Sequence, residues 1–355
     1  MPLILNRSLY FINDFKYYLV AFAAFLILSF LILLFKRNKF ILLLLAICYS
    51  LLASFAFGET YFRYIYDQSD GLGFLKVNQK WHQRHVVFNN YFRRDRQFDT
   101  DKLPGEFRIA VMGDSISFGA GIEKVGDRFS DLLQTRLRAD GFNVAVYNLG
   151  VSGTDTEIQI KDFTNFKQLK FDLLIWQYFL NDINPATGGE GTQIITINRD
   201  KFLPRPPLSW LIDRSYFADW LYWRLSTKYS RTFTDLLAAD LKAYQDSVIV
   251  SRHREAISHF LAQARKENLP VVVIMFPFLY QTPLTQAADA VYDQMFKFFT
   301  AAQKTVAVID LKSIFRLYPA SELMAGRFDS HPNELAHALA AQALYEKILA
   351  YISNL

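Results

Sequence analysis

A serine, a histidine and an aspartate stand at places in this 355-residue chain where they could act on one bond. Gly113-Asp114-Ser115 follows the short apolar run Arg108 to Met112, so Ser115 falls where a strand should end and a helix begin. Asp329-Ser330-His331-Pro332-Asn333 lies near the far end of the chain. Serine is a poor nucleophile until a base takes its proton, and the base needs a third group to hold it in one tautomer. These three residue types are the parts of a nucleophilic hydrolase. The plain alternative is an N-cap serine, and the Gly and Asp before Ser115 together with an available His331 favour the nucleophile. The chain has six histidines, His82, His85, His253, His259, His331 and His337. Only His331 has an aspartate two residues away and a Pro-Asn turn after it; His337, on a helical face six residues on, reads as packing or surface.

The elements that must position these groups are legible from Phe107 onward. Short apolar runs occur at Arg108–Met112, Val144–Asn148, Asp172–Tyr178, Val271–Phe276 and Val306–Leu311. Several are β-branched and unbroken, as expected of strands buried on both faces of a parallel sheet. Between them, Phe129, Leu132, Leu133 and Leu137 have helical spacing and stop at Asp140-Gly141. Arg254 to Lys266 reads as a helix, and Asn333 to Ile352 as a closing helix with Leu335, Leu339, Ala340, Leu344 and Ile348 on one side. Strands alternating with helices predict an α/β fold, a three-layer α/β/α sandwich on a mainly parallel five-stranded sheet. Ligands collect at the carboxyl ends of such strands. Gly113-Asp114-Ser115, Asn148 to Gly153 and Asn181-Asp182 all fall at such ends, and Asp329-Ser330-His331 precedes the last helix.

On these blocks the chain resembles the SGNH, or GDSL-type, esterase and lipase superfamily, from about residue 107 to 355 apart from one insertion. The matching blocks are Gly113-Asp114-Ser115-Ile116-Ser117, the glycine in Asn148-Leu149-Gly150-Val151-Ser152-Gly153-Thr154, Asn181-Asp182, and Asp329 with His331. Two departures stand out: Phe179 occupies a place that is usually glycine, and a single residue separates Asp329 from His331 where two are common. The resemblance implies an SGNH, flavodoxin-like fold, with Ser115 as nucleophile, His331 as general base and Asp329 orienting the imidazole. It also implies an oxyanion hole from the Ser115 and Gly153 backbone N–H groups and the Asn181 side-chain amide. Gly150 is then a turn glycine, and Asp114 and Asp182 fix loops through hydrogen bonds to backbone.

The rest of the chain says where such a domain would sit. Apolar residues make up 52% and aromatics 16%, and the excess is concentrated at the start. Residues Tyr17 to Phe35 and Phe40 to Gly58 carry no charge, and each is about long enough to cross the hydrocarbon of a bilayer as a helix. Residues 1–58 therefore read as a tail and a two-helix transmembrane hairpin. A signal peptide would be shorter, and a buried core hairpin would show a polar face. Lys36-Arg37-Asn38-Lys39 places the turn in the cytoplasm and residues from 60 onward in the periplasm or outside. The single cysteine, Cys48, excludes an internal disulfide.

Residues 59–106 read as a connector, either packed on the main domain or a stalk, with the basic cluster Arg93-Arg94-Asp95-Arg96. The insertion spans about 184–250. It opens with a loop, Pro185 to Gly191, and carries Trp210, Tyr216, Phe217, Trp220, Tyr222 and Trp223. Such a stretch reads as core filler, a lid, a sugar-stacking platform or an interfacial helix. The formal net charge of +5 fits either simple solubility or attraction to anionic lipid or glycan.

The sequence has no phosphate loop, no dinucleotide fingerprint and no metal-ligand spacing, so neither cofactor nor metal is expected. Nor is a nucleic-acid partner. The expected partners are the lipid bilayer, an acylated glycan or lipid substrate, and a membrane protein that could dock on the hairpin. The expected function is that of a membrane-anchored extracytoplasmic serine esterase removing O-acyl groups, acetyl among them, from an envelope or exported glycan. The alternatives are a glycan O-acyltransferase using the same triad, a lipid esterase or lysophospholipase, and a non-catalytic envelope assembly subunit.

Overall fold

A computed structural model describes residues 2–187, 190–302 and 307–353. Helices occupy α1 Pro2–Leu34, α2 Lys39–Thr60, α3 Lys76–His85, α4 Ser115–Phe118, α5 Phe129–Ala139, α6 Thr156–Thr164, α7 Glu190–Phe202 and α8 Leu208–Arg214. They continue as α9 Tyr216–Leu225, α10 Lys228–Gln245, α11 Ser247–Lys266, α12 Thr285–Ala302, α13 Leu311–Phe315, α14 Ala320–Leu323 and α15 Glu334–Ile352. The chain forms two compact units: Met1–Gln68 with Leu75–Arg84 and Leu203–Ser226, and Ser69–Phe74 with His85–Phe202 and Thr227–Leu355.

The second unit is the three-layer sandwich. Its sheet holds β1 Phe107–Met112, β2 Val144–Asn148, β3 Leu173–Tyr178, β4 Val271–Met275 and β5 Val308–Asp310, all parallel, in the order β2-β1-β3-β4-β5. Every residue of β2, β3 and β4 is buried. Alternate side chains feed two cores, as the period of two in a strand requires. Ala110, Trp176 and Val273 meet Phe163 of α6, Phe260 of α11 and Phe299 of α12 in one. Val111, Ile175 and Ile274 meet Phe129 and Leu133 of α5 and Ala340 and Leu344 of α15 in the other. Each fully buried large apolar side chain contributes roughly 1.5–3 kcal/mol.

The boundaries differ from expectation in small ways. The fifth run was expected from Val306, which lies outside the described residues. Leu335, expected on the packed side of the closing helix, is 39% exposed; the buried face is Ala336, His337, Ala340, Ala341, Leu344 and Ile348. Asn333 caps that helix by accepting the Ala336 N–H. The loop expected at Pro185 to Gly191 is mostly helical: Leu180–Thr187 is a 3-10 helix and α7 starts at Glu190, with 188 and 189 outside the described residues. The connector is divided between the units, and its basic cluster is structural. The Arg94 guanidinium donates to the carbonyls of Gly119 and Ile122, each at 2.6 Å, and so braces the loop beyond α4.

In the first unit α1 and α2 are joined by a short turn in which Asn38 caps α2, accepting the Phe40 and Ile41 N–H groups. Lys39–Ile65 is a continuous 27-residue helix, long and apolar enough to cross a membrane, and its most apolar stretch is not buried by the rest of the protein. The apolar part of α1, Tyr18–Leu34, is shorter.

Candidate active site

The sheet order creates a switch point between β1 and β3, where consecutive connections leave for opposite faces and open a crevice at the carboxyl ends of the strands. Ser115 comes from the strand on one side of it and Asn181 from the strand on the other. Asp114 caps α4 by accepting the Ile116 N–H at 2.9 Å. Ser115 is the first residue of that helix, so its own N–H has no intrahelical acceptor. The turn is tight because Gly113 permits it: a Cβ there would stand 2.3 Å from Gln177 Oε1 and 2.5 Å from Ser117 Oγ.

His331 arrives from a short strand. β6 Met324–Gly326 and β7 Asp329–Pro332 pair antiparallel, and in an extended strand residues two apart share a face. A one-residue spacer is therefore the spacing that puts the Asp329 and His331 side chains together. Nδ1 of His331 lies 2.5 Å from Asp329 Oδ1, and Nε2 lies 2.9 Å from Ser115 Oγ. Ser115, His331 and Asp329 form one hydrogen-bonded chain across 216 residues of sequence.

The surroundings polarise that chain. Burial alone would raise the Asp329 carboxyl; the charge and hydrogen bond of His331 and the Ser69 hydroxyl outweigh it and hold the group below the usual carboxylate range. Burial would lower the His331 imidazole, but the Asp329 charge and hydrogen bond outweigh it and raise the ring above the ordinary 6.5. An aspartate held ionised beside a histidine with raised basicity suits the histidine to take a proton from Ser115.

Asn181 sits just beyond β3, in the 3-10 helix Leu180–Thr187; its Oδ1 is buried with no partner among the described residues. Gly153 lies in the loop after β2 at φ 78°, exposed, with open space where a Cβ would be. Among the described residues it shares no hydrogen bond with the other four. Gly150, expected as a turn glycine, is a close-approach glycine: a Cβ there would meet the Phe118 backbone nitrogen at 2.6 Å, and its N–H donates to Asn148 Oδ1 at 2.9 Å. Phe179 takes the usual glycine position by stacking on Phe278. Asp182 accepts the Phe179 N–H and the Gln159 amide. Burial raises both the Asp114 and the Asp182 carboxyls, and for Asp182 the Asp114 charge adds to it. His337 is a core residue: Nδ1 accepts the Phe129 N–H at 3.1 Å, and burial lowers the imidazole to about 3.

Two sets of supporting residues were not anticipated. Gln177 Oε1 accepts the Asp114 N–H at 3.0 Å, the Ser117 N–H at 3.2 Å and the Ser117 hydroxyl at 3.0 Å. The signal was there to read, since glutamine is out of place in the apolar strand Leu-Leu-Ile-Trp-Gln-Tyr. Replacing Gln177 by leucine preserves bulk but strands three buried donors. It is expected to cost about 2–4 kcal/mol, checked by urea denaturation, with Gln177→Glu, which keeps the acceptor, retaining more of the stability. A midpoint unchanged in Gln177→Leu would contradict this assignment.

The second set surrounds Asp329 and comes from the connector, the loop after α4 and the helix α10. A Cβ on Gly71 would sit 3.3 Å from Asp329 Oδ1, and one on Gly121 3.4 Å from Asp329 Oδ2. Tyr229 donates to the Phe328 carbonyl at 2.7 Å, next to Asp329, and also bonds Asp70. Ser69-Asp70-Gly71 is a turn-like tripeptide, but nothing local ties it to a residue some 260 positions away.

A family model described as GDSL-like Lipase/Acylhydrolase matches residues 111–339. No curated protein matches the chain. Among solved structures it is similar to TesA, at 15% identity over 68% of this chain and 97% of that one, with a TM-score of 0.42. It is similar to a catalytic mutant of Axe2, an acetylxylan esterase from Geobacillus stearothermophilus, at 13% identity over 70% and 96%, TM-score 0.42. It is also similar to a Clostridium thermocellum family 3 carbohydrate esterase, at 15% identity over 70% and 98%, TM-score 0.42.

Proposed function

Because this chain belongs to the GDSL-like lipase/acylhydrolase family, and is thereby a serine ester hydrolase, we propose that it removes O-acyl groups from an envelope or exported glycan outside the membrane that anchors it. The observation that carries the chemistry is the 2.9 Å contact of Ser115 Oγ with His331 Nε2, continued to Asp329. The apolar helix Lys39–Ile65 and the basic turn before it support the location, by the excess of Lys and Arg that marks cytoplasmic loops.

The steps follow from the atoms. His331 Nε2 takes the Ser115 hydroxyl proton as Oγ attacks the ester carbonyl carbon. The carbonyl oxygen becomes an oxyanion, met by the Ser115 and Gly153 N–H groups and the Asn181 amide. Nε2 then gives its proton to the departing sugar oxygen, the carbon–oxygen bond breaks, and the acyl group stays on Ser115. Water loses a proton to Nε2 as its oxygen attacks the acyl carbon; the acyl carbon–Oγ bond then breaks, Nε2 returns the proton to Oγ, and the carboxylic acid leaves with the serine hydroxyl restored. Asp329 holds the imidazole and stabilises its charged form throughout.

Incubating the full-length protein with an O-acetylated polysaccharide should release acetate, and Ser115 should take a serine-directed phosphonate label. Acyl groups appearing on an added glycan acceptor would assign transfer instead. Turnover of lysophospholipid with an inert polysaccharide would assign lipid hydrolysis.

A further inference from the structure

The aromatic insertion has its own attachment in the first unit, at the end of the long apolar helix. Glu59 follows Gly58, where the uncharged run ends. Its carboxylate accepts the Ser215 hydroxyl at 2.6 Å, the Tyr216 N–H at 3.1 Å, the Phe217 N–H at 3.0 Å and the Arg63 guanidinium at 2.7 Å. A side chain from α2 thus caps the start of α9, and the placement is favourable because free N–H groups at a helix start attract an anion. A flexible tether would not supply the three bonds to Ser215, Tyr216 and Phe217. The Arg63 guanidinium also donates to the Arg214 carbonyl at 2.7 Å, which joins the end of α8 to the same point.

The aromatic contacts reach back into the apolar run. The Phe217 ring packs on Phe55 at 5.6 Å and on Phe62 at 5.6 Å, and Trp220 lies 4.5 Å from Phe62. Gly58 makes room: a Cβ there would touch the Phe217 ring at 3.0 Å. Leu221 and Leu225 are four and eight residues beyond Phe217, so they continue the same face of α9. They are 39% and 75% exposed, and on α8 Leu208 and Trp210 are 46% and 56% exposed. The Arg214 guanidinium lies over the Trp210 ring at 4.6 Å. Residues 59–68, 75–84 and 203–226 carry seven Lys or Arg side chains against four Asp or Glu.

We propose that α8 and α9 form an interfacial foot, lying in the headgroup layer of the bilayer with Leu208, Trp210, Leu221 and Leu225 dipping toward the acyl chains. The proposal rests on the reading of the uncharged run Phe40–Gly58, within the helix Lys39–Ile65, as a membrane span. The reason is continuity. A helix start fixed to the residue that ends the span, at about 1.5 Å of rise per residue, is held at headgroup depth. Exposed leucine and tryptophan at that depth face lipid, where amphipathic aromatics concentrate and basic side chains meet anionic headgroups. The insertion stretch 203–226 is therefore assigned to membrane contact rather than to glycan stacking.

Site-directed spin labelling of the full chain tests this. In a Cys48→Ser background, labels are placed through Leu221→Cys and Leu225→Cys, with Leu51→Cys in α2 and Leu317→Cys, 79% exposed in the second unit, as references. The protein is reconstituted in vesicles of mixed phosphatidylcholine and phosphatidylglycerol. Collision rates with oxygen and with a water-soluble nickel chelate are then compared. Labels at 221 and 225 should show an oxygen-to-nickel ratio severalfold above that at 317, approaching that at 51. A water-like ratio at 221 and 225 with a lipid-like ratio at 51 overturns the foot and leaves the anchor intact. A water-like ratio at 51 overturns both. Exclusion of both reagents at 221 and 225 would mean that protein covers the face, and also overturns the foot.

Discussion

Replacing Ser115 by alanine is expected to lower kcat for a short-chain aryl ester by a factor on the order of 10⁵–10⁶, the range reached when the nucleophile of a serine triad is removed. KM should change little, because the hydroxyl enters bonding only as the reaction proceeds. The fold should survive. Among the described residues the Ser115 side chain has one hydrogen-bond partner, His331 Nε2, and α4 is capped by Asp114 rather than by Ser115. An unchanged melting temperature, loss of phosphonate labelling and loss of turnover together would establish the role. Turnover at the wild-type rate in Ser115→Ala would remove the catalytic assignment whatever the fold.

Asp329→Asn should act differently. The backbone turn is retained, but the imidazole loses the charge that holds its tautomer, and kcat is expected to fall about 10⁴-fold. The pH profile gives a second readout. In the wild type Asp329 raises His331 above the ordinary 6.5 against the opposing effect of burial, and the base works only when neutral. The acidic limb of kcat/KM should therefore lie above 6.5, and in Asp329→Asn it should move to lower pH as burial takes over. The same shifts set the sign of the stability change. The raised His331 contributes stability that is fully present below 6.5 and is lost as pH rises through its folded value. The lowered Asp329 contributes stability present above 3.8 and lost as pH falls through its folded value. The wild type should thus exceed the variant in stability most clearly between these limits, and the difference should shrink above them. A limb that stayed put in Asp329→Asn would show that Asp329 does not govern the imidazole.

Much of this molecule was legible before folding. Runs such as Val271–Met275, apolar without a break, announce strands buried on both faces, and the spacing of Phe129, Leu133 and Leu137 announces a helix packed on one. The uncharged stretch after Lys39 could be read as a membrane-length helix from composition alone. Such signals are local: a period of two or of 3.6 is set by backbone geometry within a few residues. The residues of the candidate site could be named from their short blocks, with Ser115 at a helix start and Asn181 beyond a strand end, and their roles from the family resemblance that those blocks carry.

Sequence alone determined the five runs of the main sheet and their order, the helices at Phe129–Leu137, Arg254–Lys266 and Asn333–Ile352, and the side chains able to do chemistry. Tertiary structure alone decided that Asp329 would rest between Gly71, Gly121 and Ser69, that Gln177 would hold the turn before Ser115, and that α9 would be capped by Glu59. These are contacts between distant segments, and hydrophobic burial, which drives the collapse, is non-directional and does not say which segments meet. The partners are chosen by the order of strands in the sheet and by the need of every buried polar group for a hydrogen bond, and both are properties of the assembled chain.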